Sequence, residues 1–506
     1  MRSDAPRRAA LALAVLLAAC APTPDPDMLR VLVEKAPSNL DPRYGSDQAS
    51  SRAQALCQRT LFRIGTDLSP VPDLVARFET PDPLTLVLTL RPARFSDGRP
   101  LTSRDVRYTL ESIREGTSFR KGDLASIASV EVPDEGTVVL RLAAPDAALL
   151  ANLVIGILPE GTADANAHPV GAGPYRFLAR HGPNVIDFER WEDTPPGAYR
   201  RVRFTAVADE MARGLAIRKG DVDLVVNDLP PEIFRSLARD RRFEAHVADG
   251  SNYAYLLMNC ERPPLSDARV RQAIACAIDR REMIAALLTG LGREATGLLA
   301  PESWAYHAPR DPLPFDRDRA ARLLDLAGFL DPDGPGGKPR LSLVYKTSSL
   351  LASRAQAAVI QDYLGRVGID VTIQSFEWST YYEDVKKGNF QLASLVWVGV
   401  ADPDGLRARF HSGMVPPAGS NRGRYQNDAL DPILDEASRT LDRSRRGELY
   451  AEAQDILARD APYVSLWYKS NYALARRGIR GLELGPFADF DVIPELRKPG
   501  SAPGAR

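Results

Sequence analysis

The segment 341–398, LSLVYKTSSLLASRAQAAVIQDYLGRVGIDVTIQSFEWSTYYEDVKKGNFQLASLVWV, holds three apolar runs separated by two stretches of helical spacing. LSLVYKT (341–347) reads as a strand, LLASRAQAAVIQDYLGRVG (350–368) as a helix closed by Gly368, and IDVTIQSF (369–376) as an alternating strand. WSTYYEDVKKG (378–388) reads as a short helix and FQLASLVWV (390–398) as a buried strand. The order β-α-β-α-β predicts a parallel sheet with helices packed on it. The last strand runs into GVADPDG, so that Trp397 stands just before Asp402 and Asp404. Those two acids either meet a ligand or form the turn that ends the strand, since Asp, Pro and Gly are favoured turn residues.

Working toward the N-terminus, SDARVRQAIACAIDRREMIAALLTG (266–290) carries Val270, Ile274, Ala277, Ile278, Ile284, Leu287 and Leu288 on one helical stripe, with Ser266 or Asp267 as N-cap and Gly290 as stop. In the first half, TLVLTLR (85–91) and TVVLRLA (137–143) alternate as half-buried strands. LTSRDVRYTLESI (101–113) predicts a helix capped by Thr102, with Asp105 three residues on in capping-box fashion. An α+β unit therefore precedes the α/β one. At 506 residues the chain is too long for one ordinary core, and two or three domains are expected.

Composition narrows the function. Apolar residues make up 44% and charged residues 26%, as in soluble globular proteins, and a formal charge of −1 favours neither nucleic acid nor a polyanion. At the N-terminus Arg2, Arg7 and Arg8 precede the apolar run AALALAVLLAAC, too short to span a bilayer, which reads as a secretory signal over residues 1–19. Its end, Leu17-Ala18-Ala19-Cys20, resembles the lipobox of bacterial lipoproteins and implies cleavage before Cys20 and acylation there. The Pro-rich stretch up to residue 27 suits a tether, and 496–506 a flexible tail. Cys57, Cys260 and Cys276 are far apart and odd in number, so neither a metal knuckle nor a disulfide scaffold is expected.

Four passages in order carry a resemblance: RFSDGRPLTSRDVRYTLESI (94–113), GAGPYRF (171–177), YLLMNCERPPLSDARVRQAIACAIDR (255–280) and GRVGIDVTIQSFEWSTYYEDVKKGNFQLASLVWVGVADPDG (365–405). Together they resemble the family 5 extracellular solute-binding proteins, the oligopeptide, dipeptide and nickel receptors of ABC importers. The resemblance runs from about residue 28 to 492. It implies a bilobed α/β fold of the periplasmic-binding-protein type: lobe I from 28–47, 166–254 and 472–495, a subsidiary α+β domain at 48–165, and lobe II at 255–471. Tyr-rich crossover strands near SNYAYLLMN and WYKSNYALA would join the lobes.

In an α/β sheet, ligands bind outside the carboxyl ends of the strands, which directs Trp397 to the cleft as an aromatic wall. In peptide-binding relatives an aspartate three positions after this tryptophan pairs with the ligand's ammonium; here that position is Val400, and Asp402 is the stand-in. The resemblance further implies Tyr44 after NLDPR, Asn252 and Tyr253 at the first crossover, and Asn421, Arg422 and Tyr425 in GSNRGRYQND as ligand-facing, with Arg422 suited to a carboxylate.

The rival class is a secreted hydrolase. HExxH, GxSxG and Walker-type loops are absent from the sequence, and the five histidines lack metal spacing. Ser118-Phe119-Arg120-Lys121 matches SxxK, but in a charged loop; DPDGPGGK (331–338) lacks the glutamate of a calcium loop; His411 stands alone. The expectation is a monomeric, non-enzymatic, lipid-anchored extracytoplasmic receptor with no cofactor or metal, whose partners are a small-molecule or peptide solute and ABC permease subunits. A surface sensor that does not transport remains the other binding-protein reading.

Overall fold

The computed structural model describes residues 25–334 and 337–500. The expected signal 1–19, Cys20 and most of the tether lie outside these residues, as do 501–506.

Eleven strands form the main sheet: β1 Met28–Val33, β2 Tyr175–His181, β3 Val185–Arg190, β4 Arg201–Ala206, β5 Leu224–Val226, β6 Phe243–Met258, β7 Gly292–Glu294, β8 Leu341–Ser348, β9 Ile369–Phe376, β10 Leu392–Trp397 and β11 Tyr463–Arg476. Their spatial order is β9-β8-β10-β6-β11-β5-β1-β4-β3-β2, with β7 paired to β11. The predicted unit is present: β8 pairs in parallel with both β9 and β10, and the helices Leu351–Gly365 and Trp378–Lys387 make the crossovers. The second helix stops at Gly388, whose φ of +74° favours glycine.

Two strands hold the halves of the sheet together. β6 has 16 residues and β11 has 14, well beyond the usual five or six, and they run antiparallel along each other. Tyr253–Met258 of β6 pair with β10, while Ala473–Ala475 of β11 pair with β5, so each long strand serves one half with one end and the other half with the other. Between the halves the pairing jumps from Ala248↔Asn471 to Asn252↔Lys469, inserting extra residues on β6. Gly250 lies in that bulge, where a Cβ would fall 2.2 Å from the Lys469 carbonyl oxygen. Only a residue without a side chain lets the two backbones come this close.

Each half has its own core. Around β6, β8, β9 and β10, one face packs Leu256, Ile274, Leu343 and Ile360, and the other packs Tyr255, Leu395, Phe410, Leu434 and Tyr463. The opposite half packs Val31, Phe188, Phe204 and Phe490 on one face and Leu32, Phe234 and Leu474 on the other. A separate four-stranded antiparallel sheet, Val75–Asp82, Thr85–Leu90, Thr137–Leu142 and Ile127–Asp134 in spatial order, is covered by the helix Ser103–Glu115. As predicted, Asp105 accepts from the backbone and hydroxyl of Thr102 at the start of that helix, at 2.7 and 3.0 Å.

Two expectations need correction. The stripe over 266–290 is two helices, Ala268–Ala277 and Arg280–Leu288, because Ile278 turns extended and Asp279 caps the second by accepting from the Glu282 amide. The chain from 496 on is not all tail: Leu496 is buried, Arg497 exchanges backbone hydrogen bonds with Arg480, and Lys498 donates to the Gly197 carbonyl at 2.7 Å. Among the described residues Cys57, Cys260 and Cys276 are free thiols, and no helix is long and apolar enough to cross a membrane.

Candidate functional site

The site grows from the carboxyl end of β10. Side chains two apart on a strand share a face, and the pairing Tyr253↔Trp397 and Tyr255↔Leu395 places these four residues on one face of the sheet. Tyr255 stacks on Trp397 (6.0 Å, 8°), on Tyr463 of β11 (4.4 Å, 13°) and on Tyr253 (5.4 Å, 10°). The chain then leaves β10 through the loop at 398–404 and enters the helix Gly405–Phe410, which brings Arg409 back over the indole. The Arg409 guanidinium carbon lies 4.1 Å from the Trp397 ring centre, and that of Arg422 lies 4.3 Å away. Arg422 also covers the ring of Tyr382 at 5.1 Å and donates to its hydroxyl at 2.8 Å; Tyr382 in turn stacks on half-exposed Trp378.

These groups are incompletely satisfied. Arg409 donates from Nη1 to the Gly405 carbonyl at 2.9 Å, but its buried Nε has no partner among the described residues, nor do Trp397 Nε1 and the Tyr463 hydroxyl. Burial pushes the Arg409 guanidinium down to about 10; the nearby charge of Arg422 adds to this, against the opposing pull of Tyr463 and Tyr255.

The other expected residues divide into two sets. Asp402 is committed to the protein itself: its Oδ1 lies 2.5 Å from Nη2 of Arg446, in a pair that is nearly fully buried. It therefore does not stand free to replace the missing ammonium partner, and Val400 is buried in the apolar layer. Tyr253 is buried with its hydroxyl 2.7 Å from Ser465 Oγ. Asn421 is buried and clamps the loop by accepting from the Tyr425 amide and donating to the Tyr425 carbonyl, while Tyr425 donates to Asp460 at 2.6 Å. Tyr253, Asn421 and Tyr425 thus position neighbours, the last two by fixing the loop that presents Arg422.

Trp397, Arg422 and Asn252 keep open polar capacity, Asn252 having a buried Oδ1 without a partner among the described residues. Tyr44 is 40% exposed and lies beside Arg43, which Asp41 holds at 2.6 Å. Residues the motif reading passed over are Arg409, Tyr382, Tyr255, Tyr463 and Lys469. Lys469 lies opposite Asn252 at the bulge, half-buried, and burial lowers its pKa. The Tyr-x-Tyr alternation in NYAYLLM was the available sign of the aromatic row.

The rival motifs have structural roles. Ser118 donates to the Arg43 carbonyl and accepts from the Arg120 amide, as a cap. His411 accepts from the Gly413 amide at Nδ1 and faces Asp435 at 3.4 Å. A cavity inside this half, between Arg280, Leu313, Phe410 and Tyr463, has about 50 Å³ of free space. That suits one or two waters and not a solute.

A sheet shared by two halves through a pair of long strands, with an aromatic and cationic surface at the strand ends, is the architecture of a periplasmic binding protein. Comparison with known proteins agrees. Residues 69–413 match the bacterial extracellular solute-binding proteins, family 5 (middle). The chain is 30% identical over 471 residues to Protein XP55 of Streptomyces lividans, covering 88% of this chain and 84% of that protein. It is 29% identical over 428 residues to a putative ABC transporter peptide-binding protein of Brucella ovis, covering 80% of each. The crystal structure of NikA from Brucella suis in complex with Fe(III)-EDTA superposes with a TM-score of 0.84 at 23% identity, over 93% of this chain and 99% of that one. The chain belongs to family 5 of the bacterial extracellular solute-binding proteins. It is a binding protein and not an enzyme.

Proposed function

We propose that this protein is an extracytoplasmic lipoprotein, anchored through Cys20, that captures a small peptide or peptide-like solute between two lobes and delivers it to an ABC permease. Lobe I (28–47, 166–254 and 472–495) with its subsidiary domain (48–165) closes on lobe II (255–471), and the bulge at Gly250 absorbs the rotation. The observation that carries the reading is the half-buried aromatic and guanidinium cluster around Trp397, at the strand ends where an α/β sheet receives ligands. Contacts between the subsidiary domain and lobe II support closure: Ala147 N donates to the Ser438 carbonyl at 3.0 Å, and Arg443 reaches Ser69 at 3.1 Å.

A thermal-shift screen of di- to pentapeptides, opines, sugars and metal chelates tests this. A true solute at a hundredfold excess over Kd stabilises the fold by about 2.7 kcal/mol. The shift should vanish in Trp397→Ala, and import of that solute should need the gene. Steady turnover of peptides or esters by the pure protein would overturn the reading, and an unmodified Cys20 in the mass of the membrane-extracted protein would remove the anchor.

A further inference from the structure

The geometry points to Arg409 and Arg422 as a carboxylate receptor, so that the solute is an acid presenting a carboxylate, and not a free ammonium, against Trp397. This rests on the solute-binding reading above and specifies the chemistry of its ligand.

Elsewhere in the chain several buried arginines are neutralised by a carboxylate or spread their donors over several carbonyls. Arg43 faces Asp41 at 2.6 Å, Arg52 faces Asp228 at 2.9 Å and Arg446 faces Asp402 at 2.5 Å. Arg271 spreads its donors over the carbonyls of Leu265, Ser266 and Asp460. Arg190 and Arg280 make do with carbonyls alone, but only at the indole do two guanidiniums without a carboxylate share one ring among the described residues. Among the described residues Arg409 has one carbonyl partner and Arg422 one phenol partner, and neither has a carboxylate within ion-pair distance. A guanidinium offers five N–H donors, so most of the donor capacity of the two side chains is unspent.

Two cations stacked on one ring also repel each other, and burial sharpens the repulsion. A planar anion relieves it, because a carboxylate takes two parallel N–H bonds from a guanidinium and neutralises charge. Trp397 Nε1, buried and without a partner among the described residues, is a further donor in the same cluster.

The local acids do not serve as an ammonium partner. Asp402 is held by Arg446, Asp404 lies in the buried cluster with Tyr450, and Val400 is apolar. An ammonium brought to this surface would meet two guanidinium charges directly on the ring, with Asp404 the acid whose charge reaches Arg409 and no carboxylate paired to either arginine.

The test is calorimetric titration of the protein with glutarate and N-acetyl-Glu-Glu, against glutaramide and N-acetyl-Gln-Gln-amide as neutral isosteres and Lys-Lys as a cation. At least one acid should bind, with its neutral isostere a hundredfold or more weaker and Lys-Lys silent, and affinity should fall with salt. Arg422→Gln should weaken the acid at least tenfold, and Arg409→Met/Arg422→Met should abolish binding while raising the melting temperature of the free protein. A lowered melting temperature with acid binding intact would make the pair a structural stack and overturn the inference. Amides binding as tightly as acids, or a response confined to neutral or cationic solutes in the wider screen, overturns the inference and leaves the solute-binding function standing. Silence of every compound in both experiments overturns both.

Discussion

Arg446 holds Asp402 at 2.5 Å through Nη2 and, from the same guanidinium, donates Nη1 to the carbonyl of Ala147 at 3.0 Å. One side chain on the helix Arg443–Asp460 thereby ties the loop that follows Trp397 to the segment that follows the four-stranded sheet. The ion pair is a strut between these two layers.

Breaking this pair from one side strands a buried charge. Arg446→Met leaves Asp402 next to Asp404 with its counter-ion gone, and the loss expected for such a change is about 3 kcal/mol or more. Replacing both partners with apolar residues of similar size should recover much of that loss. Urea denaturation of the wild type, the single variant and the Arg446→Met/Asp402→Leu double variant measures the cycle; equal losses in the two variants would refute the stranded-charge account.

Asp404 gives the stability a pH signature. Burial first, and then the charge of Asp402, raises its pKa to about 6, against about 3.9 in the unfolded chain. The stabilising share of a carboxyl raised in this way is complete below about pH 4 and is lost as the pH climbs through about 6. Asp404→Asn keeps an acceptor for the Tyr450 hydroxyl and cannot ionise. It should match the wild type at pH 4 and exceed it by about 2 kcal/mol at pH 8. Melting curves across that range decide the matter, and a constant difference at all pH values would count against a raised pKa.

Local pattern and long-range partnership differ in how legible they were. The β8-β9-β10 unit and the capping box at Thr102 could be read because strand alternation, helix period and cap chemistry are set by residues within a few positions of each other. The break at Ile278 escaped because an apolar stripe continues through it and only the cap at Asp279 marks it. At the site, Trp397 was placed by the rule about strand ends. The fate of Asp402 was not, since its partner is 44 residues on and nothing local to DPDG announces it. Arg409 was equally hidden: in GLRARF it looks like a surface charge, and only the return of the helix over the indole gives it a role.

The bulge at Gly250 carries the next expectation. A methyl group there would meet the Lys469 carbonyl at 2.2 Å, far inside contact distance, and that neighbour is backbone and cannot swing away as the Asn471 side chain at 3.2 Å could. Gly250→Ala should cost about 1–3 kcal/mol, the range for overpacking a tight site. It should also alter the angle between the halves, because the two long strands would have to part. Small-angle scattering with and without a stabilising solute reads the angle, and unchanged melting and scattering would show that the bulge is free to relax.

The buried hydroxyl of Tyr463 separates a structural from a ligand-facing role for the aromatic row. It has no hydrogen-bond partner among the described residues, although its ring stacks on Tyr255 at 4.4 Å and packs on Phe410 at 4.7 Å. Leaving a buried hydroxyl unpaired costs about 1–3 kcal/mol, so Tyr463→Phe, which keeps the ring and removes the penalty, should be neutral or stabilising in the free protein. Should the hydroxyl meet solute on closure, the same variant weakens binding about tenfold, equivalent to about 1.4 kcal/mol. Trp397→Ala removes contact area as well and should cost 2 kcal/mol or more of binding, a figure typical of a central aromatic anchor. Measuring free-state melting and solute affinity on both variants distinguishes the cases. Destabilisation of Tyr463→Phe with unaltered affinity would mean that the hydroxyl has a structural partner and that the ligand surface ends at the indole.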